Sequence, residues 1–407
     1  MFYRPQRVLG VSKLSSLEFL KFRNPDLNED QILSKMKDQG MDPQKIVTEH
    51  RLQIACEENL AKILKRLDIN FRITKRKTVK KCDSQNSLLL NCYLWFLSYF
   101  FNVYVSLFRI IDAMKYVNWA DLVIPIGGDG TFLLASKLIK DNTKPVFGIN
   151  PNIFSGSNIF TLPPKYAVNI GSIFEKLHSG EYTLLMRSRI RTVMNGEGLY
   201  SRPFHIHEKS RRHGERRIET LIRSSQRKMA DALQPRQRNL PWLALNEVFM
   251  GEFLAARPIT LVIQVEDQES QMIRSSGICV CTGSGSRSWY KSMNHRPPGT
   301  LKKIVEIATG RKLNPEEIND LLYKYQQALL YPPEDSRMTY MVREIIYNTR
   351  FVKCFLENQK CNKLTVKSCG FDAGLVIDGS ISLPFNDGTS ASFEIKPEYS
   401  LKQIVVT

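Results

Sequence analysis

The strongest chemical signal in the chain is Gly127-Gly128-Asp129-Gly130-Thr131. It follows the apolar run LVIPI and opens TFLLASKLIK, whose spacing predicts a helix. Glycines allow positive φ and close backbone approach, and a helix start offers N–H groups to phosphate. No Gly-Lys-Ser/Thr follows, so the turn is not a Walker loop, and it is not G-x-G-x-x-G either. What sets it apart is a carboxylate among the glycines. An anion beside phosphate is unfavourable unless it takes a proton or helps hold Mg²⁺. Asp129 is therefore a candidate base or metal-side group; the plainer role for such an aspartate is to cap the next helix.

Two further clusters lie downstream. Asn246-Glu247 interrupts the apolar run LALNEVFMGE. A buried polar pair needs partners: Asn can read an adenine edge or a ribose hydroxyl, and Glu can accept from a ribose. A solvent-facing strand end would explain the same letters. Thr282-Gly283-Ser284-Gly285-Ser286-Arg287-Ser288-Trp289 follows the strand-like GICVC. Its glycines and hydroxyls suit close approach to a nucleotide, and Trp289 offers a ring to stack on a base; a Ser/Gly linker is the plainer reading.

Alternating elements must position the first cluster. RVLGVS, NFRITKR, LVIPI and KPVFGIN read as strands, and IVTEHRLQIACEENLAKILKRL as a helix with apolar residues on one face. Strand, helix, strand in units of this length predict a doubly wound parallel α/β domain over residues 1–180, with ligands at the carboxyl ends of its strands. From about Glu181 the pattern becomes short β runs: EYTLLMRSRIRTVMN, ITLVIQVEDQ, GICVC, LVIDGS and ASFEIK. Helical stretches appear only near LKKIVEIATG and LNPEEINDLLYKYQQALLY. Residues 181–380 are expected to form a β-rich, sandwich-like domain.

The 407 residues carry 58 Lys+Arg against 40 Asp+Glu, a net +18 that favours polyanionic partners. Much of the excess falls between Arg187 and Arg238, with 14 basic against 5 acidic residues. With few aromatics, this loop (about 196–240) reads as a solvated face, not a specific nucleic-acid site. The 8 cysteines show no C-x-x-C spacing, so no zinc or dithiol motif is expected, and the set suits a reducing compartment. Cys279 and Cys281 read as small apolar residues, and His205 with His207 as a surface pair. Arg4, Arg7 and Lys13 precede the first acid, Glu18, which is compatible with a mitochondrial presequence, yet RVLGVSK already reads as a strand. Residues 87–108 hold 22 positions without a charge. They are expected to be an inserted apolar segment (about 84–111), with a membrane span as the alternative.

In this order, GGDGT, LNE, TGSGSRSWY and VIDGS resemble the NAD kinase family. ALNEVFMGE, CTGSGS, LLYPPEDSRM and FNDG look most like its mitochondrial branch. GGDG alone also occurs in the related diacylglycerol and sphingosine kinases. The resemblance implies an α/β domain followed by a β-rich one, with the site between them and residues 381–407 returning to the first domain. It implies Asp129 as the base that takes the proton from the ribose 2′-hydroxyl, with Gly127, Gly128, Gly130 and Thr131 in the same turn. Asn246 and Glu247 would contact NAD. Thr282, Ser284, Gly285, Ser286 and Ser288 would line its site, with Trp289 where an aromatic is usual. Asn150 follows the family pattern, and so does Gly156. The segment PNIFSGSNIFTLP, Arg287 and the apolar insert depart from it. ATP with Mg²⁺, NAD as substrate, a homodimer and a mitochondrial matrix location follow from the resemblance, the cytoplasm being the alternative. No metal site of the protein's own is expected, and no membrane unless 87–108 is a span. ATP or polyphosphate as donor, and NAD or NADH as acceptor, stay open. The competing readings are a lipid kinase of the same superfamily and a catalytically inactive dinucleotide-binding protein.

Overall fold

The computed structural model describes residues 3–75, 113–152, 158–197, 199, 204–205, 234–254, 256–346 and 359–406. The apolar run 87–108, Gly156, His207 and most of the basic loop lie outside them. The chain divides into two compact units, residues 1–185 with 401–407, and residues 186–400.

The first unit is built on a six-stranded sheet. Its strands are β1 (Arg7–Ser12), β2 (Asn70–Lys75), β3 (Leu122–Ile126), β4 (Pro145–Val146), β5 (Tyr182–Arg187) and β19 (Leu401–Val406), in the order β2-β1-β3-β4-β19-β5. β1 runs parallel to β2 and β3, and β4 runs parallel to β3 and β19. All five residues of LVIPI are buried. That is why the run is unbroken by polar residues: a parallel strand covered on both faces has no solvent side. The helix Pro43–Arg66 is capped by the side chain of Asp42, carries Pro at its start, and buries Cys56, Leu60 and Leu64. Leu60 and Leu64 join Val8, Leu122 and Ile124 in one apolar cluster. Two shorter helices, Ser16–Arg23 and Glu29–Asp38, were not evident from apolar periodicity. Each opens with a capping box, Ser15 with Glu18 and Asn28 with Gln31.

KPVFGIN contributes only two ladder residues, extended by isolated bridges Ile126–Ile149 and Gly148–Thr161. The return to this sheet is shorter than the 381–407 expected. Ile381–Pro384 and Ser390–Ile395 pair within the second unit, and only β19 comes back.

The second unit holds two antiparallel sheets. One contains β6 (Ile190–Asn195), β8 (Gln237–Asn239), β10 (Ile259–Val265), β11 (Gln271–Ser275), β15 (Lys363–Ser368) and β18 (Ser390–Ile395). The other contains β7 (Phe204–His205), β9 (Glu247–Glu252), β12 (Gly277–Cys281), β13 (Met338–Arg343), β14 (Lys360–Cys361), β16 (Ala373–Ile377) and β17 (Ile381–Pro384). Strand β10 alternates strictly between buried and half-buried residues. Its Leu261 and Ile263 share one core with Leu364, Val366 and Phe393 of their own sheet and with Val248, Met250, Ile278, Val280 and Leu375 of the other. This is the sandwich the short alternating runs predict. Cys279 and Cys281 alternate with Ile278 and Val280, so they sit on the far face of β12, still fully buried; Cys281 packs with Tyr290 and Met341. Burial, ahead of all else, pushes the Cys281 thiol up to about 12, which fits a small apolar role. Helices Pro298–Thr309 and Pro315–Ala328 stand where helical spacing appears. Among the described residues, no helix is long and apolar enough to cross a membrane.

Candidate active site

In the first unit, β3 ends at Ile126 and the chain turns through Gly127, whose N–H donates to the Ile149 carbonyl (2.8 Å). Gly127 has φ +153°, and a Cβ there would collide with the Thr131 hydroxyl. The fold itself therefore demands this glycine. The other two glycines are different. A Cβ at Gly128 would come no closer than 3.9 Å, to Asn150 Nδ2, and at Gly130 it would meet nothing within 4 Å. Neither has positive φ. Their missing side chains leave open space at the carboxyl edge of a parallel sheet, where an α/β fold binds ligands.

Asp129 is the first residue of the helix Asp129–Ser136, yet it does not cap it, since that helix start has no side-chain cap. Its carboxylate is turned to the segment after β4, with Oδ1 accepting from the Phe160 N–H (3.2 Å) and Oδ2 from the Ile159 N–H (3.3 Å). These two backbone bonds hold the carboxylate in place. Asn150 is buried; its Oδ1 accepts from the Asn152 N–H and its Nδ2 donates to Asn158 Oδ1 (2.6 Å). Asn150 thus joins Asn152 to Asn158 beside Gly128.

A polar network behind the turn went unread in the sequence. Gln53 Nε2 donates to the Ile126 carbonyl (3.2 Å), to Ser12 Oγ (2.8 Å) and to Glu57 (3.1 Å). Ser12 donates to Glu57 (2.6 Å), and Lys75 bridges Glu57 (3.1 Å) and Glu18 (2.8 Å). The carboxyl ends of β1, β2 and β3 are tied together by side chains at Ser12, Lys75 and the Gln53–Ile126 contact. Burial pulls the Lys75 ammonium down, but its bonds to Glu18 and Glu57 outweigh that and leave it raised. The Gln53 and Glu57 spacing of one helical turn is the only sequence signal for this network.

In the second unit, Asn246 stands just before β9 and Glu247 is its first residue, so the pair marks the strand's start and not its interior. The N–H groups of Leu245, Asn246 and Glu247 all donate to the Asp378 carboxylate, at 3.1, 2.8 and 3.2 Å. On the other side, the Thr282 N–H donates to the Asn246 carbonyl (2.9 Å) and Thr282 Oγ1 to the Leu245 carbonyl (2.6 Å). The Gly285 N–H donates back to Thr282 Oγ1 (3.1 Å), and a Cβ at Gly285 would collide with the Asn246 carbonyl. Asn246 Nδ2 donates to Ser288 Oγ (3.1 Å). The LNE and TGSGS segments, read separately in the sequence, form one corner.

Within that corner the hydroxyls differ from expectation. Thr282, Ser284 and Ser286 are buried, and their hydroxyls serve the protein. Ser284 Oγ accepts from the buried Arg187 guanidinium (3.0 Å), and Ser286 Oγ donates to the Gly283 carbonyl (2.7 Å). Fully buried hydroxyls must find internal partners, so they shape the turn. Trp289 keeps 37% exposure, its ring tilted on Phe249 with centroids 4.5 Å apart. Among the described residues, the buried Oδ1 of Asn246 has no hydrogen-bond donor, so one acceptor of this corner is left open. Sequence reading missed Asp378, Arg187 and Tyr331. The last donates its hydroxyl to the Cys281 carbonyl (2.8 Å), and the following Pro332 closes over Gly283. Among the described residues, no three His, Cys, Asp or Glu side chains group to hold a metal ion.

Comparison with known proteins agrees with these features. Residues 41–182 match the ATP-NAD kinase N-terminal domain. Over 99% of its length the chain is 29% identical to "NAD kinase 2, mitochondrial" of Homo sapiens, covering 85% of that protein. The Rattus norvegicus protein of the same name is 29% identical over 99% of this chain and 88% of its own. That of Xenopus tropicalis is 26% identical over 99% and 91%. The open glycine turn around Asp129 and the joined LNE and TGSGS segments thus stand in a chain that is similar over nearly its full length to these mitochondrial NAD kinases.

Proposed function

We propose that this protein transfers the γ-phosphoryl group of ATP to the 2′-hydroxyl of the adenosine ribose of NAD, giving NADP and ADP. The observation that carries the reading is Asp129: a carboxylate set in a turn whose outer glycines leave open space, and steered by two backbone N–H groups instead of capping its helix. The 2′-hydroxyl donates to Asp129. As its oxygen bonds to the γ-phosphorus, the bond from that phosphorus to the β-bridging oxygen breaks and the proton passes to Asp129. Mg²⁺ arrives as part of the substrate, Mg-ATP, and offsets triphosphate charge. Asn246, with its unfilled buried acceptor, and Glu247 would hold the NAD. The protein's work is mainly placement of the two reactants.

The same reading extends to a mitochondrial location, supported by the names of the vertebrate relatives. A matrix location and a homodimer are its finer extensions. An assay of NADP formation from ATP and NAD, with a diacylglycerol or sphingoid base as parallel acceptors, tests the substrate class. Asp129→Asn should lower the rate by ~10²–10⁴-fold, the usual share of one general base, with an unchanged circular dichroism spectrum. A variant as fast as the parent, or phosphorylation of lipid in place of NAD, would overturn the assignment.

A further inference from the structure

We infer that Asp378 is the positioning residue that sets the Asn246–Glu247 corner for the NAD acceptor, an inference that rests on the NAD kinase reading. Asp378 follows the last residue of β16 and is 6% exposed. The register of β9 with β16 ends at Val248–Ile377. Past that pair the ladder gives way to a side chain. The Asp378 N–H still donates to the Glu247 carbonyl (2.9 Å), but its carboxylate gathers three consecutive N–H groups, from Leu245, Asn246 and Glu247. A neighbouring strand could not do this, because successive N–H groups of an extended strand point to opposite sides. The backbone therefore curls around one anion.

Asp378 itself adopts φ +42° and is followed by Gly379 at φ +61°. These two residues lie in the turn that joins β16 to β17, where an Asp-Gly pair takes positive φ readily, and the turn presents the carboxylate to the three N–H groups. The curl has a consequence for Asn246. Its N–H is committed to Asp378, its carbonyl to Thr282 and its Nδ2 to Ser288. The side chain is left with one buried acceptor, Oδ1, that the described residues do not fill. That atom's position depends on Asp378, which acts through the backbone of Leu245, Asn246 and Glu247. An asparagine at 378 would present one acceptor oxygen where the carboxylate presents two, and would turn an NH₂ toward N–H donors.

The test is a double-mutant cycle in the full chain, reading KM for NAD, KM for ATP and kcat of NADP formation. Losing a hydrogen bond to a charged group costs about 1.5–3 kcal/mol, or roughly 10- to 100-fold. Asp378→Asn should raise KM for NAD by that factor, lower kcat less, and leave KM for ATP within about twofold. In an Asn246→Ala background the same change should add under about threefold, because residues that act through one another do not add. A purely structural role for Asp378 would lower thermal stability and multiply KM for NAD equally in both backgrounds, and that outcome overturns the inference. So does an unchanged KM for NAD in folded Asp378→Asn. If that variant does not fold, Asp378→Glu, which keeps the charge but displaces the acceptor atoms by one methylene, replaces it in the same cycle. Absence of NADP formation by the parent chain would instead remove the underlying reading, before any variant is compared.

Discussion

Replacing Gly130 by alanine separates what the glycine turn does for the fold from what it does for a ligand. Gly130 is the second residue of the helix Asp129–Ser136, lacks positive φ, and has nothing within 4 Å of where a Cβ would stand. On the protein's own account, alanine is the better residue. It is favoured over glycine by up to ~1 kcal/mol in a helix interior, and about half of that is expected in a first turn. Since 1 kcal/mol moves the melting temperature of a unit this size by roughly 2–4 °C, Gly130→Ala should melt about 1–2 °C higher than the parent. The kinase reading gives the opposite expectation for catalysis. A methyl group projecting into the space meant for phosphate would displace it by ~1 Å, and a misplacement of that size costs on the order of 10²-fold in rate. Gly127→Ala is the contrasting control: positive φ and a collision with Thr131 should destabilise the first unit by ~1–3 kcal/mol. Differential scanning fluorimetry and initial rates of NADP formation on the three proteins check both halves. A stable Gly130→Ala enzyme with the parent's activity would refute the claim that this glycine is there for a ligand.

Two more outcomes follow from side-chain geometry. Thr282→Val keeps the shape but strips the buried Leu245 carbonyl and Gly285 N–H of their partner, so the second unit should lose about 2–6 kcal/mol in urea unfolding, at ~1–3 kcal/mol per stranded group; Thr282→Ser should recover most of it, and equal losses in the two variants would discredit the hydroxyl's role. Asp335 accepts from the Arg337 guanidinium (3.1 Å) and from Lys360 (2.9 Å), and these bonds hold its carboxyl far below the usual carboxylate range. A depressed folded pKa contributes stability that is complete above the ordinary carboxylate value, about pH 4, and lost as pH falls toward the folded value. Thermal melts should therefore show Asp335→Asn less stable than the parent at pH 7, with the gap narrowing below about pH 4; a gap independent of pH would contradict the pairing.

Local chemistry in the sequence was enough to identify some elements. LVIPI read as a strand and proves buried along its whole length; the apolar face of IVTEHRLQIACEENLAKILKRL announced the long helix, while its start at Pro43 under the Asp42 cap appears only in the structure. The helix Ser16–Arg23 escaped notice because it buries only Leu17; its start signal, Ser15 with Glu18, is carried by caps and not by periodicity. At the site, residue type showed that Asn246, Glu247 and the serines would need hydrogen bonds, but not which side of the turn would supply them. That is decided by contacts the chain makes across long separations, Asn246 to Asp378 and Arg187 to Ser284. The hydroxyls of Thr282, Ser284 and Ser286 bond within the protein, to Leu245, Arg187 and Gly283, while the acid that shapes the corner, Asp378, looked like an ordinary turn residue in VIDGS.

The position of β19 also bears on the order in which the molecule can form. Residues 401–406 lie between β4 and β5 in the first sheet, although everything from 186 to 400 belongs to the other unit. During synthesis the sandwich has all its strands available while the first sheet still has a gap between its fourth strand and its edge. Vectorial folding, in which domains close in the order they emerge, is therefore reversed here: the half translated earlier is finished later, and it waits in the interim with an unfilled slot that a chaperone, or a strand from a neighbouring chain, could occupy.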